Sequence, residues 1–268
     1  MNKLKKILLY MAAASVAVLI VFVIAGALLR DTTAPVITCP EGVLKAKAGI
    51  SEEALLKGVT AVDNKDGDVS GAVVVESLST IGKDNTREIT YAVMDLSGNV
   101  GRATRTLKYT NYRQPRIRLD QPLRTGSQQG VLAVLDTIRA SSPLDGDLSN
   151  RVKYSFPNGG YVNGEGEYQV VLRVSDSAGA STVINTMLEV YNGKEETIRI
   201  DLKDYLVYLD RGDDFDPMDY YEIASQSGRL IVDSDVDTSA PGVYHVRYRV
   251  QADSGEYGQT TLVVVVEA

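Results

Sequence analysis

The stretch ITYAVMDLSGNVGRATRTLKYT, residues 89–110, decides how this chain is read. Ile89, Tyr91 and Val93 alternate with less apolar residues, so they share one face of an extended strand. Asp95-Leu-Ser-Gly-Asn99 then supplies a glycine-containing turn, and TRTLKYT returns as a second strand. Two such strands around such a turn predict a β-hairpin.

The same hairpin recurs twice. VVLRVSDSAGA occupies 170–180 and HVRYRVQADSG occupies 245–255, so Asp95, Asp176 and Ala252 stand at matching places, 81 and then 76 residues apart. Upstream, AVDNKDGDVS (61–70) recurs as ASSPLDGDLS (140–149), an offset of 79. A near-constant period of about 80 residues means tandem modules. Several short strands per module, among them VITC, GVTAV and AVVVES in the first, argue for two packed sheets. Tyr168 and Tyr244, each two residues after a glycine at the start of the penultimate strand, fit a tyrosine-corner role. Only Ser51–Gly58 outside the N-terminus reads as a helical turn. The expected fold is all-β: three tandem immunoglobulin-like β-sandwich modules at 31–111, 113–192 and 195–268, joined by polar linkers near Asn111–Gln114 and Asn192–Glu195.

Composition agrees. Tyrosine is frequent (15) while Phe is rare (3) and Trp absent, a mix suited to half-buried strands. One cysteine, Cys39, excludes an intramolecular disulfide and a Cys-rich zinc site. It lies too far past the apolar run, without a small-residue lipobox, to be a lipidation site. Ile7 to Leu29 contains no charge and spans about 34 Å as a helix, enough for a hydrocarbon core of about 30 Å. Lys3, Lys5 and Lys6 precede it, which predicts residues 1–6 in the cytoplasm and the modules outside a cell membrane crossed once. A cleaved signal peptide with Ala25-Gly26-Ala27 at the cut is the rival reading, and export follows from either. With the four basic residues of 1–30 set aside, 24 basic and 35 acidic residues remain, a formal balance of -11 that repels nucleic acid.

DTTAPVIT at the module start, AVDNKDGDVS, and ITYAVMDLSGNVGRATRTL together resemble the bacterial immunoglobulin-like repeats of Gram-positive surface proteins, a family similar to hyalin-repeat modules. In the third repeat GDDFDP and VDTSAPGVYHVRYRV carry the likeness, although the DGD loop is missing and Ala252 replaces the aspartate. The resemblance implies stalks, spacers, adhesion or glycan contact, and such folds host many functions.

Asp63, Asp66 and Asp68 in one loop and Asp95 in the hairpin turn are expected at the same end of the first sandwich. Two readings stand: a weak Ca²⁺ site, since such acids repel without a cation, or tight turns built by Asx hydrogen bonds and glycine. The spacing is not that of an EF-hand. Tyr205, Tyr208, Tyr220 and Tyr221, interleaved with acids, suggest a stacking surface for sugars or for a basic partner, against a plain core role. His245 falls on an outward strand face with Arg247 and Arg249, and no G-x-S-x-G elbow accompanies it. No catalytic residue is assigned, and the chain is read as no enzyme. Paired carboxylates of a surface hydrolase are a remote third class.

The leading function is a non-catalytic, membrane-anchored extracellular stalk whose partners are the lipid bilayer and a cell-wall glycan or surface protein. The ending TTLVVVVEA carries no sorting signal, so the distal end is expected to be free. The alternative is an accessory subunit of a membrane-embedded envelope or secretion complex, packed through Ala12, Ala13, Ala14, Ser15 and Ala17.

Overall fold

Every long stretch of period-two alternation becomes a strand, and the one long apolar run becomes a helix. A computed structural model describes residues 3–82, 84–126, 130–157, 162–191 and 196–267, and outside the first helix the chain is mostly β-sheet. Helix α1 (Lys3–Leu29) contains Lys6–Ile24, 19 residues long and apolar enough to cross a membrane by length and composition. The chain packs as two compact units, 1–46 with 50–110, and 47–49 with 111–268.

In the first unit β1 (Val36–Thr38), β3 (Thr60–Asp63) and β4 (Gly67–Asp68) form one antiparallel sheet. The other runs in the order β2 (Leu44–Ala46), β7 (Val100–Tyr109), β6 (Thr86–Met94), β5 (Val74–Leu78), with β2 parallel to β7. Ile37 and Ala61 of the small sheet and Ile89, Tyr91, Val93 and Leu107 of the large one are buried. Ser51 caps the short helix α2 (Glu52–Leu55) by accepting the Ala54 N–H, which satisfies one of the free donors of its first turn. The fully buried Tyr91 hydroxyl donates to Leu55 O at 2.8 Å and holds that turn on the core. Tyr91→Phe leaves this carbonyl without its donor and is expected to cost about 1–2 kcal/mol, read from denaturant midpoints at unchanged slope.

The second unit contains two further sheet pairs. In the first, β8 (Arg116–Leu119), β10 (Ile138–Ser142) and β11 (Gly146–Asp147) pair antiparallel. They accompany a sheet ordered β12 (Lys153–Ser155), β13 (Gly166–Ser175), β14 (Ser181–Tyr191), β9 (Arg124–Gly126). In the second pair β15 (Ile200–Leu202) pairs with β17 (Tyr221–Ala224). The larger sheet there runs β16 (Leu206–Leu209), β20 (Tyr257–Val266), β19 (Gly242–Gln251), β18 (Arg229–Ser234), again with the first of these parallel to the last strand of its repeat. The hairpins β6–β7, β13–β14 and β19–β20 are the three stretches recognised in the sequence. Tyr168 donates to Asn163 O (2.8 Å) and Tyr244 to Ala240 O (2.9 Å), the corner-like bonds expected of them.

Repeats read from sequence as separate modules at 113–192 and 195–268 therefore lie within one compact unit. The reason is apolar. Leu206 and Val263 are buried in one cluster with Ile117, Leu123, Ile138 and Leu188, and Tyr208 packs against it. Tyr208 Oη accepts from Ile117 N (2.8 Å) and donates to Ile117 O (3.1 Å), beneath the Arg116 guanidinium at 4.6 Å. The linker expected at 192–195 lies outside the described residues.

Candidate metal centre

Three aspartates meet in the first unit. Asp31 precedes β1, Asp63 ends β3, and Asp95 opens the β6–β7 turn. Pairing of β1 with β3 and packing of β1 beside β6 and β7 bring them together. One carboxylate oxygen from each lies within 4.8 Å of the other two. All three are buried, with exposures of 5%, 4% and 5%.

Each acid also shapes its own turn. Asp31 Oδ1 accepts from Thr33 N (3.0 Å), and Asp63 Oδ2 accepts from Lys65 N (2.7 Å) and Asp66 N (2.9 Å). Asp95 Oδ1 accepts from Ser97 N and Asn99 N, and its Oδ2 from Asn99 Nδ2 at 2.7 Å. Burial pushes the Asp95 carboxyl up, but bonds from Asn99, Ser97 and Gly98 outweigh it and hold the acid below the usual carboxylate range. Asp31 Oδ2 and Asp63 Oδ1 have no hydrogen-bond partner among the described residues. Buried oxygens of ionised acids are costly without one. The donor set is oxygen only, the kind hard cations take.

Of the four acids singled out in the sequence, Asp63 and Asp95 thus belong to this cluster. Asp66 instead ties the two loops together, its Oδ2 accepting from Leu96 N at 2.8 Å. Asp68 is exposed and accepts from Ser70 N and Oγ, the hydroxyl bond being the main cause of its lowered pKa. Asp31 was missed by sequence reasoning, although it heads the DTTAP motif.

The second repeat repeats the scaffold but not the acids. Asp145 Oδ2 accepts from Ser177 N (2.7 Å) as Asp66 does from Leu96 N, and Asp147 binds Ser149 as Asp68 binds Ser70. Yet Ser142 stands where Asp63 stands in the first, and Asn111, four residues before Pro115 as Asp31 is before Pro35, stands where Asp31 does. The Tyr112 hydroxyl donates to Asp176 Oδ2 at 2.6 Å.

The four tyrosines expected as a stacking surface are each partly covered, and their rings are engaged within the protein. Tyr205 packs against the apolar clusters of both repeats in the second unit. Tyr208 is held by Ile117, and burial pushes its pKa up to about 12. Tyr220 stacks on Phe215 (5.6 Å between centroids) and Tyr221 on Tyr248 (6.4 Å). Each ring thus packs within the protein while remaining partly exposed.

His245 does point out of its own sheet, but β14 covers it: Nε2 lies 3.0 Å from Thr186 Oγ1. It borders a cleft of about 340 Å³ with Leu123, Arg124, Glu167, Glu189 and Arg247. Burial lowers its pKa below 6.5, with Asp235 raising it, Arg247 lowering it and Glu167 raising it by lesser amounts. A neutral imidazole preferred in the folded state gives stability that is present above pH 6.5 and lost as pH falls toward the folded value. His245→Gln is expected to shrink the loss of melting temperature between pH 7.5 and 5.5. An unchanged pH dependence would contradict that role.

No family model matches the chain. It is 26% identical over 223 residues to the pesticidal crystal protein Cry22Aa of Bacillus thuringiensis, covering 78% of this chain and 30% of that protein. The chain thus spans less than a third of this relative. Among solved structures it is similar to the structure of CBM51-2 in complex with GlcNAc and INT domains from Clostridium perfringens ZmpB. There the identity is 19%, the coverage 52% of this chain and 29% of that chain, and the TM-score 0.23. It is also similar to Drosophila N-cadherin EC1-4, at 12% identity, 90% and 76% coverage, and a TM-score of 0.23. Likenesses this distant bring neither ligand nor activity to this chain.

Proposed function

We propose that the chain is a membrane-anchored surface stalk, in which α1 crosses the bilayer and three β-sandwich modules stand outside the cell without catalytic duty. One observation carries this reading. Ile7, Leu8, Leu9, Val18, Val21 and Phe22 are all more than half exposed on a helix none of whose apolar window is buried by the protein. A surface of that size has no stable place in water and is solvated by lipid. Lys3, Lys5 and Lys6 before it support a cytoplasmic N-terminus, with the sheets outside.

The modules carry a formal balance of -11 after residue 30, and their partner in this reading is a wall glycan or a neighbouring surface protein. After alkaline carbonate extraction of membranes the intact chain should remain in the pellet. Recovery in the supernatant of a shortened chain lacking α1 would replace the anchor by a cleaved signal. Wall contact predicts that the detergent-solubilised full chain sediments with purified sacculi. Failure to sediment would transfer the role to a protein partner. Deleting 195–268 is not a clean control, because Leu206 and Val263 are buried with the second repeat.

A further inference from the structure

We propose that Asp31, Asp63 and Asp95 bind one Ca²⁺ ion, which fastens the segment following α1 to the first β unit. The turns themselves do not call for these acids. In the third repeat Ala252 replaces Asp95, yet its hairpin closes through Ala252 N to Glu256 O (2.8 Å) and Gly255 N to Ala252 O (3.1 Å). In the second repeat the Ser142 hydroxyl accepts from Asp145 N at 3.0 Å, doing the work that Asp63 does for Asp66 N. There the remaining acid, Asp176, receives the Tyr112 hydroxyl. Among the described residues only the first unit gathers three carboxylates at this place, and there Asp31 Oδ2 and Asp63 Oδ1 are buried without a donor. What Tyr112 gives Asp176 Oδ2 in the second repeat Asn99 Nδ2 gives Asp95 Oδ2 in the first, so the oxygens left for a cation are Asp31 Oδ2 and Asp63 Oδ1.

The spacing admits Ca²⁺. Oxygens within 4.8 Å of one another fit under the roughly 5 Å that two ligands can span across one Ca²⁺, whose Ca–O distances are about 2.3–2.6 Å. Mg²⁺ demands a near-ideal octahedron and gives up its water reluctantly, so three acids already held by their own turns suit it less well. No nitrogen or sulfur ligand joins the cluster, which disfavours zinc. Asp31 stands two residues after the end of α1, and its carbonyl accepts from Asn99 Nδ2 at 3.3 Å. An ion here joins that segment to β3 and to the β6–β7 turn.

The test uses the full chain in detergent micelles, freed of metal with EDTA and titrated by calorimetry with CaCl₂ or MgCl₂. One Ca²⁺ per chain is expected, with a higher melting temperature and weaker Mg²⁺ binding. Asp31→Asn, Asp63→Asn and Asp95→Asn should each weaken Ca²⁺ at least about tenfold, because affinity follows the count of charged ligands. Asp68→Asn should leave it unchanged. In EDTA Asp31→Asn and Asp63→Asn should melt no lower than the parent, since each removes repulsion while the amide oxygen keeps the backbone bonds; Asp95→Asn also loses the bond from Asn99 Nδ2 and should melt lower. Equal melting in Ca²⁺ and EDTA, or Ca²⁺ affinity indifferent to all three substitutions, would overturn the proposal. Membrane attachment is not read in this experiment, so its failure leaves the anchor reading standing.

Discussion

Gly258→Ala is expected to lower the melting temperature of the chain by about 10 °C. A Cβ on Gly258 would sit 1.8 Å from Ile198 O and 2.7 Å from its carbonyl carbon, distances no atom pair tolerates. The obstacle is backbone, so no rotamer change relieves it. Ile198 is buried beside Tyr248 and Leu262, and Thr197 N and Ile198 N both bond Tyr257 O, at 3.0 and 3.2 Å. Moving this segment by the ångström or more that a methyl needs breaks those bonds and opens the core. Overpacking typically costs 1–3 kcal/mol and lost buried hydrogen bonds add to it, giving about 3–4 kcal/mol. In a unit of this size each kcal/mol is worth about 2–4 °C. Gly101→Ala should behave alike, its Cβ falling 2.0 Å from Pro35 O. Gly71→Ala, with open space and no left-handed backbone, should change little. Thermal melts followed by circular dichroism distinguish the three. Equal melting of Gly258→Ala and Gly71→Ala would show that the close approach is absent.

Arg124→Ala is expected to be at least as damaging. The Arg124 side chain is 13% exposed and pairs with Glu189 and Glu196, themselves 15% and 8% exposed. It also donates to Gln259 O and lies 4.1 Å over the Tyr191 ring. This one guanidinium therefore joins both repeats of the second unit. Its removal leaves two carboxylates partly buried and uncompensated, a loss of about 3–5 kcal/mol. Lysine keeps the charge but neither the planar fork nor the stacking, so Arg124→Lys should recover only part. Urea denaturation at neutral pH measures this. Full recovery by lysine would mean that charge alone carries the contact.

What could be read in advance depended on whether a feature was local. Period-two alternation gave the three long hairpins, because the face of a strand is set by its own neighbours. The Asp66 and Asp145 loops were found through their repeat. Asp31 was not, because it lies 32 residues before Asp63 and 64 before Asp95 in an extended segment without periodicity. Only the pairing of β1 with β3 brings it in. Alternation correctly placed His245 outside its own sheet, but it carries no record of β14, which covers it. Tyr208 illustrates the same limit: LVYL fits a strand, while its anchoring to Ile117 depends on a repeat 91 residues away.

The account rests most on α1 holding the β units outside the cell. In a Cys39→Ser background, the exposed Ser227→Cys and the N-terminal Asn2→Cys would be treated, on intact cells, with a membrane-impermeant maleimide. Labelling at 227 without labelling at 2, with position 2 becoming labelled only after lysis, is the expected result. Labelling at 2 with protection at 227 in intact cells would contradict the account.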